Sequence, residues 1–511
     1  MNKKFVITIV GGGAGGVSSF IQLVNKFISL NNKNVSITLI EKDKENMGAG
    51  IPYSTYYDES ILNMRYQKMS ILPDDPQNVL NWIKNNKEKW QNKYPDFDFE
   101  NDPYPPRSLY GIYLKNVFND SLEKAKSFGV ECNIIYDTVL DIKKVGLKNE
   151  VILQNKDKII TDKIILCLGN YPATTYQELI GKENYFEWFW SDEKTLAVIP
   201  ENSTVGVLGS GLTAIDISNT ILSNRKDVKV FFVSQNGLLP KVQAVLINPI
   251  SKSILNDKVN SLIKKKGKLL LNDLIGVLKK EIENAHKESI DWDKVLHLEK
   301  SPLEIITQDI EDAKTNKSSD WQSVLASTSD IIENFWDKLS DEDKQRFLKE
   351  YQGIWFVYRH AMPLKNAEKI SNYLKSEKLA IYSGIKSVIY NENNKSFVLD
   401  LKDNKIEVPF LINATGAGED IKKINSVLVK NLLQSGIFTP NKFGGINVDF
   451  ETCGVLNSHS VISKNIYSIG YLTKGVHFYT NDVGRIAEHA RRVVKYITKN
   501  KLWLQKIFSS N

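Results

Sequence analysis

The chain of 511 residues is 42% hydrophobic and 25% charged, a composition typical of globular proteins, and it is too long for one hydrophobic core. Its net charge of +7 comes from 67 basic and 60 acidic residues, and its densest basic run, 264–268, has no interleaved aromatic residues, which argues against nucleic-acid binding. Its three cysteines form no C-x-x-C pair, which argues against a dithiol-dependent disulfide reductase.

The first predicted elements are a strand, a glycine-rich turn and a helix. The run 5–10 is rich in β-branched residues, as buried parallel strands are. The glycine fingerprint at 11–16 follows it and opens a helical pattern. In such a fingerprint the first glycine makes the tight turn, the second lets the backbone approach a pyrophosphate, and the third allows close packing of helix on strand. The residues expected to contact the cofactor are Gly11, Gly13, Ala14, Gly15 and Gly16.

A second strand completes this predicted unit. The run 35–40 is rich in β-branched residues and leads to Glu41, 25 residues beyond Gly16, where an acid can bind the two hydroxyls of a ribose. Strand, glycines, helix, strand and acid in this order predict a dinucleotide site. The alternative is a glycine-rich turn that binds no ligand.

A second fingerprint at 209–214 follows the predicted strand 204–208. The next predicted strand, 228–233, ends in Ser234-Gln235-Asn236, which offers neither an acid for a ribose diol nor an arginine for a 2′-phosphate. These residues predict a nicotinamide cofactor, NADPH or NADH, or a Rossmann half that only packs. The residues expected to contact it are Gly209, Gly211, Leu212, Thr213 and Ser234.

The chain repeats one pattern after each fingerprint. Residues 130–169 and 379–416 each predict several strands with a tight turn, then an apolar strand that stops at a glycine, Gly169 or Gly416. Such strand ends lie at the edge of a sheet where nucleotides bind. The alternative is that each glycine is needed only for the turn.

This order predicts five segments. Residues 1–197 and 416–511 form the first nucleotide domain, and 198–250 and 353–415 form the second, inserted in the first. Residues 251–352 between them are predicted to be a helical insertion, either core or a cover for a substrate pocket.

Other features restrict the class of protein. The six histidines show no paired ligand spacing with cysteines or acids, so no metal site is predicted. The first predicted strand begins at the amino terminus without a signal sequence, and no apolar stretch is long enough to span a bilayer, so a cytoplasmic protein without membrane contact is expected.

Short motifs occur along nearly the whole chain, at 48–54, 62–64, 69–70, 73–76, 81–82, 106–114, 237–240, 320–321, 355 with 359–360, and 470–475. They resemble those of bacterial FAD/NAD(P)-binding proteins, a largely uncharacterised family. More distantly the chain is similar to flavin-dependent N-hydroxylating monooxygenases: Asp162, Leu166 and Gly169 match part of their D-x-x-x-L-A-T-G signature, but Cys167 and Leu168 replace its alanine and threonine.

The resemblance implies an α/β fold of glutathione-reductase type, with two Rossmann-like domains that bind FAD and NAD(P)H, respectively. It places Asn63 and Met64 near the flavin and adds Gly470 and Gly475 to the FAD site. Family members carry S-R-R-G where this chain has Ser-Gln-Asn-Gly at 234–237, so NADPH preference is in doubt.

The resemblance also implies candidates for catalysis. Arg359 could hold an anionic substrate or a nicotinamide phosphate, or it could form a salt bridge between domains. His360 and His477 could each donate a hydrogen bond to flavin or substrate, or serve only the structure.

Three functions are therefore open. The first is a monooxygenase that uses NAD(P)H, FAD and O₂ to hydroxylate a small nitrogen-containing molecule through a C4a-(hydro)peroxyflavin, with the flavin carrying the chemistry. The second is an NAD(P)H-dependent flavin reductase or dehydrogenase with a non-thiol acceptor. The third is an FAD-binding sensor or scaffold without catalysis, which would not need a second fingerprint.

Overall fold

The computed structural model describes residues 4–55, 57–189, 193–247, 252–287, 289–292, 300–329 and 331–499. The strands are β1 Phe5–Val10, β2 Val35–Glu41, β3 Glu131–Tyr136, β4 Val139–Val145, β5 Lys148–Leu153, β6 Lys158–Thr161, β7 Lys163–Leu166, β8 Tyr185–Phe186, β9 Thr204–Leu208, β10 Lys229–Ser234, β11 Leu379–Ser383, β12 Ser387–Asn391, β13 Ser396–Asp400, β14 Lys405–Val408, β15 Phe410–Asn413, β16 Gly454–Leu456 and β17 Ile462–Ser468.

The α-helices are α1 Ala14–Ser29, α2 Asn78–Asn85, α3 Arg107–Phe128, α4 Glu193–Ala197, α5 Leu212–Asn224, α6 Lys252–Lys266, α7 Leu271–His286, α8 Pro302–Lys314, α9 Ser319–Ser327, α10 Ile332–Lys338, α11 Asp341–Arg346, α12 Gln352–Arg359, α13 Leu364–Lys375, α14 Val427–Gln434, α15 Lys474–His477 and α16 Val483–Lys499. A π-helical stretch, Phe347–Tyr351, joins α11 to α12.

The chain divides into two compact units. Unit 1 contains residues 1–58, 64–174 and 418–511, and unit 2 contains residues 59–63 and 175–417. Apart from the short segment 59–63, the chain passes from unit 1 to unit 2 at 174/175, whereas 197/198 was expected, because β8 pairs with β15 in the sheet of unit 2.

The sheet of unit 1 has six strands in the order β16-β17-β7-β1-β2-β3. All its pairings are parallel except the one between β16 and β17. The central strand β1 is buried from Ile7 to Val10, as expected of a parallel strand covered on both faces. Helix α1 buries Val17, Ile21 and Val24 and packs on α3 and α16.

The sheet of unit 2 has five strands in the order β11-β10-β9-β15-β8, all parallel. Each unit also has a separate antiparallel three-stranded sheet, β4-β5-β6 in unit 1 and β12-β13-β14 in unit 2. The repeated pattern predicted from the sequence is confirmed, because each three-stranded sheet leads into a parallel strand, β7 or β15, beside the first strand of a fingerprint.

The described part of the predicted insertion is helical, from α6 to the start of α12. Ile282 of α7 and Val324 and Leu325 of α9 form a small buried core there. A capping box that the sequence interpretation missed begins α8: the Ser301 hydroxyl accepts the Glu304 N–H, and the Glu304 carboxylate accepts the Ser301 N–H.

Candidate functional site

The first glycine loop is packed so closely that two of its positions exclude any side chain. Gly11 has φ +104°, and a Cβ there would lie 2.1 Å from the carbonyl oxygen of Cys167. A Cβ on Gly16 would lie 1.9 Å from the carbonyl oxygen of Gly11. These contacts confirm the turn expected at Gly11 and the helix–strand packing expected at Gly16.

The amino terminus of α1 is built to receive an anion. Gly13 is its N-cap and supplies no side-chain hydrogen bond, so the first N–H groups of the helix have no cap from that residue. Ala14 and Gly15 open the first turn, which contains no acidic residue. The free N–H groups and the positive end of the helix dipole together favour a phosphate at this point.

Glu41 lies against this loop. One carboxylate oxygen, Oε2, accepts the Gly12 N–H at 2.7 Å, and the other, Oε1, accepts the Asp43 N–H at 3.3 Å. The carboxylate is therefore held at the end of β2, beside the glycine loop. This is the location where an acid binds the ribose hydroxyls in a dinucleotide site.

A segment whose sequence matched the family motif also packs on the loop. The Gly48 N–H donates to the carbonyl oxygen of Gly12 at 2.8 Å. A Cβ on Gly50, which has φ +70°, would lie 3.0 Å from the Cα of Gly13. The sequence interpretation did not assign Gly48 and Gly50 to the site, although the motif that contains them was the available signal.

Two further predicted residues lie at strand ends with open space beside them. Gly169 after β7 has φ +68° and Gly470 after β17 has φ +85°, and a Cβ on either would meet no described atom within 4 Å. The two strand ends are adjacent, since the Ile469 N–H donates to the carbonyl oxygen of Leu166 at 3.0 Å. Gly475 differs, because a Cβ there would lie 2.4 Å from the carbonyl oxygen of Gly444. Packing alone therefore requires glycine at 475.

Unit 2 repeats the geometry of the first loop. Gly209 has φ +116°, and a Cβ there would lie 2.6 Å from the carbonyl oxygen of Ala414. Gly211 is the N-cap of α5 without a side-chain hydrogen bond, so Leu212 and Thr213 open an uncapped first turn. A Cβ on Gly211 or on Gly416, which has φ +109°, would meet no described atom within 4 Å.

The polar side chains at the end of β10 form hydrogen bonds within the protein. Ser234 Oγ lies 3.0 Å from Ser210 Oγ and accepts the Gly237 N–H at 3.0 Å. Gln235 Nε2 donates to the carbonyl oxygen of Ile385 at 2.9 Å. This strand end therefore presents amides and a hydroxyl beside the second loop, without the charge of an acid or a guanidinium.

The predicted pair Arg359-His360 ends α12 in unit 2. Arg359 Nη2 donates to Ser329 Oγ, and the ring of His360 stacks on Phe356 with centroids 5.1 Å apart. Burial, reinforced by the charge of Arg359, lowers the pKa of His360 to about 3. His360 is consequently neutral at physiological pH and can take part only as a neutral hydrogen-bonding group.

Gln243 connects this pair to a residue predicted to lie near the flavin. Gln243 Nε2 donates to the carbonyl oxygens of Asn63, at 2.6 Å, and Ala361, at 2.7 Å. Asn63 thus lies close to the residue that follows His360, whereas Met64 groups with unit 1. The sequence interpretation missed Gln243 because 180 residues separate it from Asn63.

The thiols of Cys167, which is buried, and of Cys132, which is partly buried, are protonated at neutral pH. Burial raises the pKa of Cys167 to about 12 and that of Cys132 to about 11. A thiol with so high a pKa forms little thiolate at neutral pH, and thiolate is the reactive form. Cys167 lies beside the first glycine loop, but it is not an activated nucleophile there.

Residues 8–171, which contain the first loop, match a sequence-family model described as FAD-NAD(P)-binding. This match confirms the resemblance for that part of the chain. No curated protein matches the chain. No helix in the described ranges combines the length and the hydropathy that a membrane span requires.

Solved structures of similar fold cover nearly the whole chain. The ornithine hydroxylase of Pseudomonas aeruginosa, in its reduced form, has a TM-score of 0.59 at 11% identity, covering 97% of this chain and 98% of that one. The ornithine N-hydroxylase of Kutzneria sp. 744, with reduced FAD, NADP⁺ and L-ornithine, has a TM-score of 0.57 at 13% identity, covering 98% and 100%. The L-lysine 6-monooxygenase of Pseudomonas syringae has a TM-score of 0.56 at 14% identity, covering 96% and 99%. The likeness confirms the predicted Rossmann-type α/β fold.

Proposed function

We propose that this protein is an FAD-dependent oxidoreductase that uses NAD(P)H, and that it is a monooxygenase that hydroxylates a small nitrogen-containing molecule. The observation that carries the proposal is the repetition of one loop geometry in two units. Each unit has a left-handed first glycine, an uncapped helix amino terminus and an open glycine at the neighbouring strand end. Two such sites suit a flavin that is reduced by a nicotinamide.

Unit 1 is assigned to FAD. Its loop lies within the FAD-NAD(P)-binding match, and its strand end supplies the Glu41 carboxylate for the ribose of the adenosine half. The N–H groups at the start of α1 would bind the pyrophosphate. Gly169 and Gly470 leave open space at the adjacent strand ends for the rest of the cofactor. FAD, when bound, supplies hydride acceptance and reaction with dioxygen.

Unit 2 is assigned to NAD(P)H. Gly211 leaves open space at the amino terminus of α5 for its pyrophosphate. Arg359, on the same unit, is the cation assigned to an anionic group of the nicotinamide or of the substrate. His360 is neutral and would act by hydrogen bonding, and Gln243 holds Ala361, the residue that follows it.

The substrate class rests on the fold and on the thiols. The structures of similar fold are named for hydroxylation of ornithine or lysine, which are amines. A disulfide-reductase reaction is disfavoured here because no C-x-x-C pair is present and because Cys132 and Cys167 have raised pKa values. The expected electron acceptor is dioxygen, of which one oxygen atom would enter the amine and the other would leave as water.

The test is product formation under isotopically heavy dioxygen. Purified full-length protein is given FAD, NADPH or NADH, and a panel of amines, amino acids and nitrogen heterocycles, and products are identified by mass spectrometry. We expect one compound to gain a single heavy oxygen atom in step with NAD(P)H consumption. Consumption with all electrons recovered as hydrogen peroxide, across the panel, would support the reductase alternative. If the protein cannot be loaded with FAD, both the monooxygenase and the reductase hypotheses are wrong.

A second prediction concerns the choice between NADH and NADPH. The three residues after β10 offer no acid for a ribose diol and no arginine for a 2′-phosphate. A hydrogen bond to a charged group contributes about 1.5–3 kcal/mol. Neither nucleotide gains this contribution from these three residues. We expect the two nucleotides to reduce the flavin with kcat/KM values within about tenfold of each other. A preference of about 100-fold for either would contradict this account.

The variant Asn236→Arg provides a gain-of-function check. Asn236 Oδ1 accepts the Leu238 N–H at 3.1 Å, so its side chain already lies at the strand end. A guanidinium at this position should shift the preference toward NADPH about tenfold, through a charge-assisted bond to the 2′-phosphate. The matched variant Asn236→Gln keeps an amide and should leave the ratio unchanged.

A further inference from the structure

Three buried side chains from residues 453–489 of unit 1 converge outside both glycine loops. Cys453, His477 and His489 are each almost fully buried, and each offers one ligand atom. These three atoms all lie within 4.8 Å of one another. Their sequence separations are too long to form a recognisable metal motif, which is why the sequence predicted no metal site.

The backbone directs Cys453 into this cluster at a conformational cost. Its φ of +58° is left-handed, and that region costs an L-residue on the order of 1–2 kcal/mol. A tight turn holds it there, because the Cys453 N–H donates to the carbonyl oxygen of Asp449 at 2.9 Å and its own carbonyl oxygen accepts the Ser468 N–H at 3.0 Å. Such strained residues cluster at functional sites.

The contacts of His477 resemble those of a metal-binding histidine. Its Nε2 lies 2.9 Å from the carbonyl oxygen of Phe450, and we assign the ring hydrogen to this nitrogen because a carbonyl can only accept. Histidine ligands commonly donate their second N–H to a backbone carbonyl in this way. The Nδ1 atom then carries a lone pair, and its neighbour Thr473 Oγ1, at 3.2 Å, donates its own hydrogen to Gly470.

We propose that Cys453, His477 and His489 form a buried zinc site. A thiolate and two imidazoles are ligands that zinc prefers, whereas magnesium and calcium require oxygen ligands. Zinc–sulfur and zinc–nitrogen bonds of about 2.3 and 2.0–2.1 Å place tetrahedral ligand atoms about 3.5 Å apart. The present upper separation of 4.8 Å would therefore close by about 1 Å. On binding, the Cys453 thiol releases its proton to solvent as the sulfur–zinc bond forms.

The site would connect three segments of unit 1. Cys453 precedes β16, His477 ends α15, and His489 lies in α16. The chain from Gly470 to His477 would thereby be fixed at both ends, since Gly470 follows the paired strand β17. Three protein ligands would leave the fourth position of a tetrahedral zinc for a water molecule or another small ligand.

Zinc content and sulfur coordination test the proposal. Full-length protein without a histidine tag is loaded with zinc chloride, dialysed, and measured by atomic emission and by X-ray absorption at the zinc edge. We expect one zinc per chain, with a sulfur scatterer at about 2.3 Å and nitrogen scatterers at about 2.0–2.1 Å. A bound zinc with only oxygen and nitrogen neighbours, or no stoichiometric zinc, would overturn the proposal.

Two serine variants complete the experiment. Cys453→Ser should weaken zinc binding by on the order of 100-fold, measured by competition with a chelator, because the thiolate ligand is lost. Cys132→Ser makes the same change in β3, outside the cluster, and should bind zinc like the natural protein. Equal zinc affinity in both variants would contradict the assignment. If Cys453→Ser does not fold, the zinc-edge X-ray absorption spectrum of the natural protein still shows whether sulfur is bound to the zinc.

Discussion

Replacement of Gly211 by valine is expected to leave FAD bound and to lower kcat/KM for NAD(P)H about 100-fold. Gly211 has φ −83° and ψ −169°, an extended conformation that any residue adopts. A Cβ there would meet no described atom within 4 Å, so the substitution does not strain the protein itself. The valine would instead occupy the space assigned to the nicotinamide pyrophosphate.

The size of this effect follows from overpacking. Forcing extra methyl groups against a well-fitted partner costs about 1–3 kcal/mol, and each 1.4 kcal/mol is about tenfold in affinity. The measurement is anaerobic reduction of the bound flavin in a stopped-flow instrument over a range of NAD(P)H concentrations. Unchanged reduction kinetics would show that the second loop does not bind the nicotinamide.

Replacement of Gly13 by valine should have the opposite pattern. We expect FAD affinity to fall on the order of 100-fold, so that the purified protein loses its yellow colour. Gly13 is the N-cap of α1 with φ −77° and ψ −166°, nearly the backbone of Gly211. Its Cβ would lie 3.3 Å from the Cα of Gly50, which requires only a small local shift. The quantity to measure is the ratio of FAD to protein after gel filtration.

The two variants are controls for each other. They introduce the same side chain at the same position of two equivalent loops, and only the Gly13 variant meets a neighbour within 4 Å, so any effect on folding should be small and larger in that variant. Thermal unfolding of each variant checks this directly. Loss of FAD from both variants, or from Gly211→Val alone, would contradict the assignment of FAD to unit 1 and NAD(P)H to unit 2.

Much of the fold could be predicted because its signals are local. The apolar run before each fingerprint and the glycine that follows it specify a strand, a turn and a helix within about 25 residues. The need for glycine at Gly11 and at Gly209 has one physical cause in both units, a carbonyl oxygen that would clash with a Cβ. Local sequence was sufficient there because the strained position and the fingerprint coincide.

Other features of the candidate site depend on contacts between distant residues, which one sequence does not reveal. Gln243 reaches the carbonyl oxygen of Asn63, and Gly50 approaches Gly13, only after the chain has folded. Strand pairing also explains why unit 2 begins before the expected residue 198. β8 has only two residues, too few for a periodic sequence signal, yet it pairs with β15 in the sheet of unit 2. The cluster of Cys453, His477 and His489 was not predicted either, because its members are too far apart in sequence to form a recognisable metal motif.

Anaerobic mixing of the FAD-loaded protein with NADPH or NADH tests the central claim most directly. The claim is that one chain binds a flavin in unit 1 and a nicotinamide in unit 2 and passes a hydride between them. We predict that the visible absorption of the oxidised flavin disappears in a reaction whose rate saturates with nucleotide concentration. A protein that retains FAD but whose flavin stays oxidised with both nucleotides would contradict the account.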